Sequence, residues 1–315
     1  MERRGFVIMS ALAGTGAALA AAVAARRSAL REDLDWETVD KPGRLVEVDG
    51  YRVHIVEAGS GPAIVLVHGF GGHTVSWRRP MPLLARDHRV IAVDLKGFGY
   101  SERRADIGLS HGDQARMLRG LLDALGIERA VFVGHSMGGA VVQRFAAMYP
   151  ERASALVLAA SVAGDERYRR AAPSGAVLRP LLPVLAGVAA RRLFAMSFYD
   201  RSHATPELFE EYLRPARIRG SMDGLLRMMR DTAGDGAIDH ARISQPVLLL
   251  YGTDDRVVPV GVGQRLRERL PQARLVTVDR AAHLLVDERA EDCERAIRDF
   301  LRETGVEHAT PVATG

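Results

Sequence analysis

The sequence predicts an α/β fold with a mostly parallel central sheet, helices on both faces and an inserted helical cap. Apolar, strand-like runs at 63–67, 131–133 and 156–160 alternate with helical patterns, which is typical of βαβ units. No strand-like run occurs in 164–242, and the alternation then resumes. Because ligands of such sheets bind at the carboxyl ends of the strands, we expect the inserted residues to cover a site there. The predicted domains are therefore a core of 34–163 and 243–303, a cap of 164–242 and a flexible tail of 304–315.

The chain before the parallel strands predicts a linker and a hairpin. Residues 34–44 carry Pro42-Gly43 and are expected to form a linker. Two apolar alternating runs then flank Asp49-Gly50, a strong hairpin signal. The sheet should therefore begin with an antiparallel pair.

The composition is that of a globular protein. Of the 315 residues, 47% are apolar and 26% are charged, which argues against a disordered chain. The basic residues are mostly arginines interleaved with acids, so that the net charge of +4 forms no basic stripe and no nucleic-acid partner is expected. The single cysteine, Cys293, excludes a disulfide within the chain, and its helical context predicts a structural thiol.

The first 33 residues are predicted to be a signal peptide or a membrane anchor. An uncharged run, residues 5–25, lies between the pairs Arg3-Arg4 and Arg26-Arg27 and is long enough to cross a bilayer. Arg3-Arg4 with a later small-residue site resembles a cleaved twin-arginine export signal, whereas retention would make the run an anchor. A helix packed on the body is the third interpretation. We expect a membrane-anchored or exported protein, with membrane association through residues 5–25.

The most informative stretch is Gly134-His135-Ser136-Met137-Gly138. It follows the apolar run 131–133 and precedes a helical pattern that extends to Tyr149. A strand that passes through Gly-x-Ser-x-Gly into a helix is the context of a nucleophile elbow. Ser136 is therefore the candidate nucleophile.

A serine nucleophile needs a base and a residue that orients the base. His283 follows the last predicted strand and so lies at the same sheet edge as Ser136. Asp255 is our choice for the acid and Asp254 the reserve, since both follow a buried strand at 247–252. The chain order of serine, acid and histidine is that of the strand–turn–helix serine hydrolases.

Acyl transfer also needs two N–H donors for the developing oxyanion. The backbone N–H groups of Met137 and of Phe70, which follows His68-Gly69, are the candidates. No histidine, cysteine or glutamate cluster has metal-ligand spacing, and no phosphate-binding or dinucleotide loop is present. We expect neither a metal nor a cofactor.

As an ordered set, these motifs resemble the α/β-hydrolase superfamily. The matching residues are His68 to Gly72, Asp94 with Gly97 to Ser101, Gly134 to Gly139, Gly252 to Pro259, and His283. The resemblance spans roughly residues 45–301 and implies the fold and a Ser-His-Asp triad. It places the acid three residues after Gly252, which selects Asp255.

The resemblance also narrows the activity. Haloalkane dehalogenases and epoxide hydrolases carry aspartate where this chain has Ser136, so both are disfavoured. Meta-cleavage-product C–C hydrolases usually have asparagine before the serine and tryptophan after the histidine, whereas this chain has His135 and Leu284. Cofactor-free haloperoxidases and lipase-like esterases share the Gly-His-Ser-Met-Gly-Gly form.

We therefore expect a serine hydrolase that cleaves carboxylic esters through an acyl-enzyme. The apolar content of the cap and the N-terminal run point to a lipid-like small-molecule ester, although the cap residues have a second interpretation, packing onto the body. A C–C bond hydrolase or a haloperoxidase of the same fold is the alternative activity. A non-catalytic binding protein of this fold is the alternative from another class, and the presence of all triad residue types argues against it. The sequence does not define the oligomeric state.

Overall fold

The computed structural model describes residues 31–164 and 190–306, and they form an eight-stranded sheet in the order β1-β2-β4-β3-β5-β6-β7-β8. β1 pairs antiparallel with β2, β2 pairs antiparallel with β4, and the remaining neighbours are parallel. The strands are β1 Arg44–Val48, β2 Tyr51–Ala58, β3 Ala63–Val67, β4 Arg89–Val93, β5 Ala130–His135, β6 Ala153–Ala159, β7 Val247–Gly252 and β8 Ala273–Val278.

Helices cover both faces of the sheet. They are α1 Pro80–Leu84, α2 His111–Ala124, α3 Met137–Met148, α4 Pro206–Leu213, α5 Ser221–Thr232, α6 Val260–Arg269, α7 Leu285–Glu288 and α8 Ala290–Glu303, and residues 190–196 are also helical. One apolar cluster joins the sheet to α2, α3 and α6, and a second joins it to α1 and α8. The predicted α/β class, with a mostly parallel sheet between helices, is confirmed. Cys293 is buried in the second cluster.

The loops that carry chemistry leave the sheet at one edge. β3, β5, β7 and β8 are parallel, and each is followed by a candidate site loop. Parallel strands place their carboxyl ends at the same edge of a sheet. The described residues between β6 and β7, 190–242, are helical or irregular and contain no strand.

Residues 32–36 connect the core to the inserted segment, and we call them the strap. Residues 34–36 belong to the predicted linker, and residues 32 and 33 precede it. Leu34 makes a parallel bridge with Ile218. The buried Trp36 donates its indole N–H to the carbonyl oxygen of Tyr100 at 2.8 Å. Glu32 accepts the N–H groups of residues 220 and 222 at 3.1 and 2.6 Å. This part of the linker prediction is wrong, because the hydrogen bonds that order the strap are with residues far away in the sequence.

The prediction of a membrane-anchored or exported protein is wrong. In residues 31–164 and 190–306, no helix has both the length and the apolar character that a bilayer span requires. The run 5–25 on which the prediction rested lies outside the described residues. So do residues 1–30 of the predicted signal or anchor, 165–189 of the predicted cap and 307–315 of the predicted tail.

Replacing Trp36 by alanine tests the strap. The change removes a buried indole and its hydrogen bond to Tyr100, so we expect the free energy of unfolding to fall by about 3–5 kcal/mol. Glu37→Ala removes only an exposed ion pair with Arg52 and should change it by less than about 1 kcal/mol. Urea unfolding of the two variants measures the difference, and equal stabilities would show that the strap contributes nothing.

Candidate active site

Ser136 joins β5 to α3 in a backbone conformation that L-residues rarely adopt. Its φ is 53° and its ψ is −117°, and a residue held there costs on the order of 1–3 kcal/mol. Its N–H donates to the carbonyl oxygen of Ala159 at 2.9 Å, and its own carbonyl oxygen accepts the N–H of Gly139 at 3.0 Å. Because both backbone groups are hydrogen-bonded, the turn is held in this conformation.

The glycines after Ser136 are required by close packing. A Cβ on Gly138 would overlap the carbonyl oxygen of Val67 in β3, and a Cβ on Gly139 would overlap the hydroxyl group of Ser161 after β6. The first turn of α3 therefore lies directly against the ends of two strands. Any larger residue would push the helix away and move Ser136.

The structure brings together Ser136, His283 and Asp255. His283 Nε2 lies 3.1 Å from Ser136 Oγ, and His283 Nδ1 lies 2.8 Å from Asp255 Oδ2. The other oxygen, Asp255 Oδ1, accepts the N–H groups of Val257 and Val258 at 2.7 and 2.8 Å. Since a carboxylate only accepts, these partners assign the proton to Nδ1 and leave the Nε2 lone pair facing the serine hydroxyl group.

Asp254, the reserve candidate, lies apart from this chain of hydrogen bonds. It is exposed, and its carboxylate accepts the hydroxyl group of Thr253 at 2.8 Å. Of the two carboxylates that the sequence offered, Asp255 is therefore the one in contact with His283.

The loop with Phe70 lies against the nucleophile. A Cβ added to Gly69 would be 3.2 Å from Ser136 Cβ, so the backbone before Phe70 passes directly beside the serine. Met137 is the first residue of α3, where the helix offers its N–H no acceptor. Among the described residues, neither N–H, of Phe70 or of Met137, donates to another protein group. Both are free to donate to an oxyanion.

His68 holds this loop in place. It is fully buried, its Nε2 accepts the N–H of Leu95 at 3.1 Å, and its Nδ1–H donates to the carbonyl oxygen of Gly69 at 2.8 Å. Burial lowers the pKa of His68, in agreement with a neutral ring that accepts at one nitrogen and donates at the other.

Asp94 stabilises the region around the Phe70 loop through its carboxylate. It is fully buried and accepts the N–H groups of Thr74 and Tyr100, each at 2.7 Å, and the Nδ1–H of His54 at 2.7 Å. Burial, the largest influence, raises the pKa of Asp94, but the hydrogen bond and charge of His54 and two further histidines lower it to about 2. An ionised Asp94 thus joins β2, the turn after the Phe70 loop and the loop at 97–101.

His135, the residue before Ser136, contacts His283 and the Phe70 loop, which the sequence did not indicate. Its Nε2–H donates to the carbonyl oxygen of His283 at 2.8 Å, and the centroids of the two rings lie 4.8 Å apart. Its Nδ1 lies 2.9 Å from the position of a Cβ on Gly69. Burial, reinforced by His283, lowers the pKa of His135 to about 3. Only its place beside Ser136 hinted at this role.

The described residues contain no group of three or more histidine, cysteine or acidic side chains arranged to hold a metal ion. The arrangement has instead the parts needed for attack on a carbonyl carbon: an oxygen nucleophile, a base with its orienting acid, and two free N–H donors.

Comparison with known proteins identifies the class. The family described as the α/β-hydrolase fold matches residues 62–290, and the chain belongs to this family. It is an enzyme of the hydrolase class, as its motifs predicted.

The relatives include several hydrolases of dienoic acids. A 2-hydroxy-6-oxononadienedioate/2-hydroxy-6-oxononatrienedioate hydrolase of Burkholderia vietnamiensis is 34% identical, covering 80% of this chain and 91% of the relative. The structure of a 2-hydroxy-6-oxo-6-phenylhexa-2,4-dienoate hydrolase from a Rhodococcus strain is 28% identical with a TM-score of 0.70, covering 84% and 100% of the two chains. A meta-cleavage product hydrolase of Pseudomonas fluorescens is 26% identical with a TM-score of 0.70, covering 83% and 98%.

Asparagine substitutions at the two neighbouring aspartates form a matched pair. Asp255→Asn replaces the acceptor of His283 Nδ1–H and favours the wrong tautomer, so we expect kcat to fall by about 10⁴-fold. Asp254→Asn changes an exposed carboxylate and should leave kcat within about threefold. Steady-state turnover and the rate of fluorophosphonate labelling are measured for both variants. Similar losses of activity in the two would show that Asp255 has no special role in the site.

The pH dependence of stability tests the neutral His135. Its pKa is about 3 in the folded chain and near 6.5 in an unfolded chain. As the pH falls below about 6.5, the unfolded chain binds the proton first, so the folded state loses about 1.4 kcal/mol per pH unit. The Gln side chain keeps an amide donor but does not titrate, so His135→Gln should show a pH slope that is shallower by about one proton between about pH 6 and pH 4. Urea unfolding in this range measures the slope, and equal slopes would contradict the buried, neutral state.

Proposed function

We propose that this chain is a serine-dependent hydrolase that cleaves the carbon–carbon bond beside a ketone in a meta-cleavage product. The observation that carries the proposal is the similarity, over at least 80% of the chain, to hydrolases named for such substrates. The contacts among Ser136, His283 and Asp255 supply the chemistry. Carboxylic esters, the substrates expected from the sequence, are the second candidate class.

The proposed reaction begins with attack of Ser136 Oγ on the ketone carbon while His283 Nε2 takes the serine proton. The backbone N–H groups of Phe70 and Met137 stabilise the oxyanion. On collapse, the carbon–carbon bond breaks, its electron pair goes to the departing carbon, and His283 returns the proton to that carbon. One water molecule, deprotonated by His283, then hydrolyses the acyl-serine to a carboxylic acid and frees Ser136.

The side of the site next to His283 supports the second candidate. Leu284 packs with Val75, Phe198 and Leu208 in an apolar cluster that joins the base loop to the inserted segment. Meta-cleavage hydrolases usually have tryptophan at the position of Leu284 and asparagine at that of His135. A buried apolar cluster directly after His283 favours an uncharged ester over the carboxylate of a dienoate.

Turnover of the two substrate classes decides between the candidates. We expect 2-hydroxy-6-oxo-6-phenylhexa-2,4-dienoate, followed by loss of its visible absorbance and by benzoate release, to give at least a 100-fold higher kcat/KM than p-nitrophenyl esters of acetyl to long-chain acids. Ser136→Ala and His283→Ala should each lower turnover of either class by at least about 10³-fold. These losses tie the reaction to the serine and its base.

Two other outcomes are informative. Efficient turnover of the esters without cleavage of the dienoate would transfer the assignment to ester hydrolysis, and the chain-length series would then define the acyl group. Failure of the folded wild-type protein to react with a fluorophosphonate would contradict both candidates and favour a binding protein.

A further inference from the structure

Glu288, at the end of α7, is a buried carboxylate with an unusual set of partners. It is 5% exposed. Its Oε2 accepts the N–H groups of Tyr199 at 3.0 Å and of Ala282 at 3.1 Å, and its Oε1 accepts the N–H of Asp200 at 2.7 Å. In the part of the chain that the structure describes, the hydrogen-bond partners of this carboxylate are these three backbone N–H groups.

Two of these donors belong to the inserted segment and one to the base loop. Residues 197–200, which we call the cap foot, supply the N–H groups of Tyr199 and Asp200. Ala282 immediately precedes His283. One carboxylate therefore holds the cap foot and the backbone before the base at the same time.

A second hydrogen bond joins the same two segments on the other side of the base. The N–H of Leu284 donates to the carbonyl oxygen of Ser197, in the cap foot, at 2.8 Å. Ala282, the residue before His283, is thus held by Glu288, and Leu284, the residue after it, is held by the cap foot itself. The third contact, from His135 to the carbonyl oxygen of His283, comes from the core.

We propose that Glu288 is a positioning residue that couples the seating of the cap foot to the alignment of His283. Displacement of about 1 Å at a catalytic group costs on the order of 100-fold in rate. If the cap foot leaves its place, Glu288 loses two of its three donors and Leu284 loses its acceptor, so His283 is no longer held on both sides. The inference rests on the proposed function, because it assigns His283 the role of base.

Glu288→Gln is the first test. The substitution keeps the size of the side chain but replaces one acceptor oxygen with an NH₂ group that faces an N–H donor. We expect the rate of fluorophosphonate labelling of Ser136 and kcat to fall by about 30-fold or more, with KM changed by less than about threefold. Glu291→Gln, an exposed acid in α8 that pairs with Arg79, is the matched control and should behave as wild type.

A pair of substitutions in the cap foot isolates the coupling. Asp200→Ala keeps the N–H that Glu288 accepts, whereas Asp200→Pro removes it. The φ of −90° at this residue lies about 25° from the preferred value of proline, so the backbone must adjust slightly. We expect the proline variant to label about tenfold more slowly than the alanine variant. Hydrogen exchange of a peptide that contains Ala282 and Leu284 should be faster in the proline variant, although the substitution lies outside the base loop.

The outcomes separate this inference from the proposed function. An unlabelled wild-type protein would contradict the serine hydrolase itself. A labelled wild-type protein, with equal labelling in the Asp200 pair and unchanged exchange at 282–284, would contradict the coupling and leave Glu288 with a local role. The Asp200 pair also decides the question if Glu288→Gln does not fold.

Discussion

The close packing of α3 against β3 and β6 is the constraint on which the site depends. The helix reaches these strands only because Gly138 and Gly139 lack a Cβ, and its position forces Ser136 into a φ of 53°. The backbone, rather than any side-chain contact, therefore positions Ser136, the proposed nucleophile. Its partners come from other strands that end at the same edge, so the lengths of the loops after β3, β7 and β8 determine whether they meet it.

The histidines buried around the site share one electrostatic property. His68, His73 and His135 are buried, and burial lowers the pKa of each, so these rings are neutral near pH 7. Asp255 keeps its carboxylate in three hydrogen bonds. In the proposed reaction, a proton taken by His283 is therefore stabilised by the carboxylate on one side and meets a neutral His135 on the other. Such a preorganised environment favours the transition state without further rearrangement.

Features with a local cause were predictable from the sequence, and features that depend on distant contacts were not. The elbow at Ser136 follows from a strand, two glycine positions and a helix, and the parallel sheet follows from its apolar runs. The strap at Trp36 and the roles of His135 and Glu288 depend on hydrogen bonds with residues far away in the chain, which leave no periodic pattern. The membrane prediction relied on the run 5–25, which lies outside the described residues, and none of the described helices could span a bilayer.

The substrate was harder to predict than the reaction, because both candidate classes use the same nucleophile, base and N–H donors. Two positions of the sequence, His135 and Leu284, argued against a C–C hydrolase. Similarity over most of the chain instead favours a C–C hydrolase. Two substitutions beside the proposed nucleophile and base do not by themselves change the attack on the carbonyl carbon, because a fold supports many functions through differences in its sites. The difference between the classes is therefore expected in the residues that surround the departing group.

The described part of the inserted segment, residues 190–242, is attached to the core on both sides of α4. After α4, the strap and the half-buried Arg103 hold residues 215–221, with Arg103 donating to the carbonyl oxygen of Pro215 and to Ser221 Oγ. Before α4, Glu288 holds the cap foot. Because both attachments consist of several hydrogen bonds, moving α4 away from the core would break them. By the proposed coupling, changes at the cap foot alter the alignment of His283 and hence the rate for every substrate.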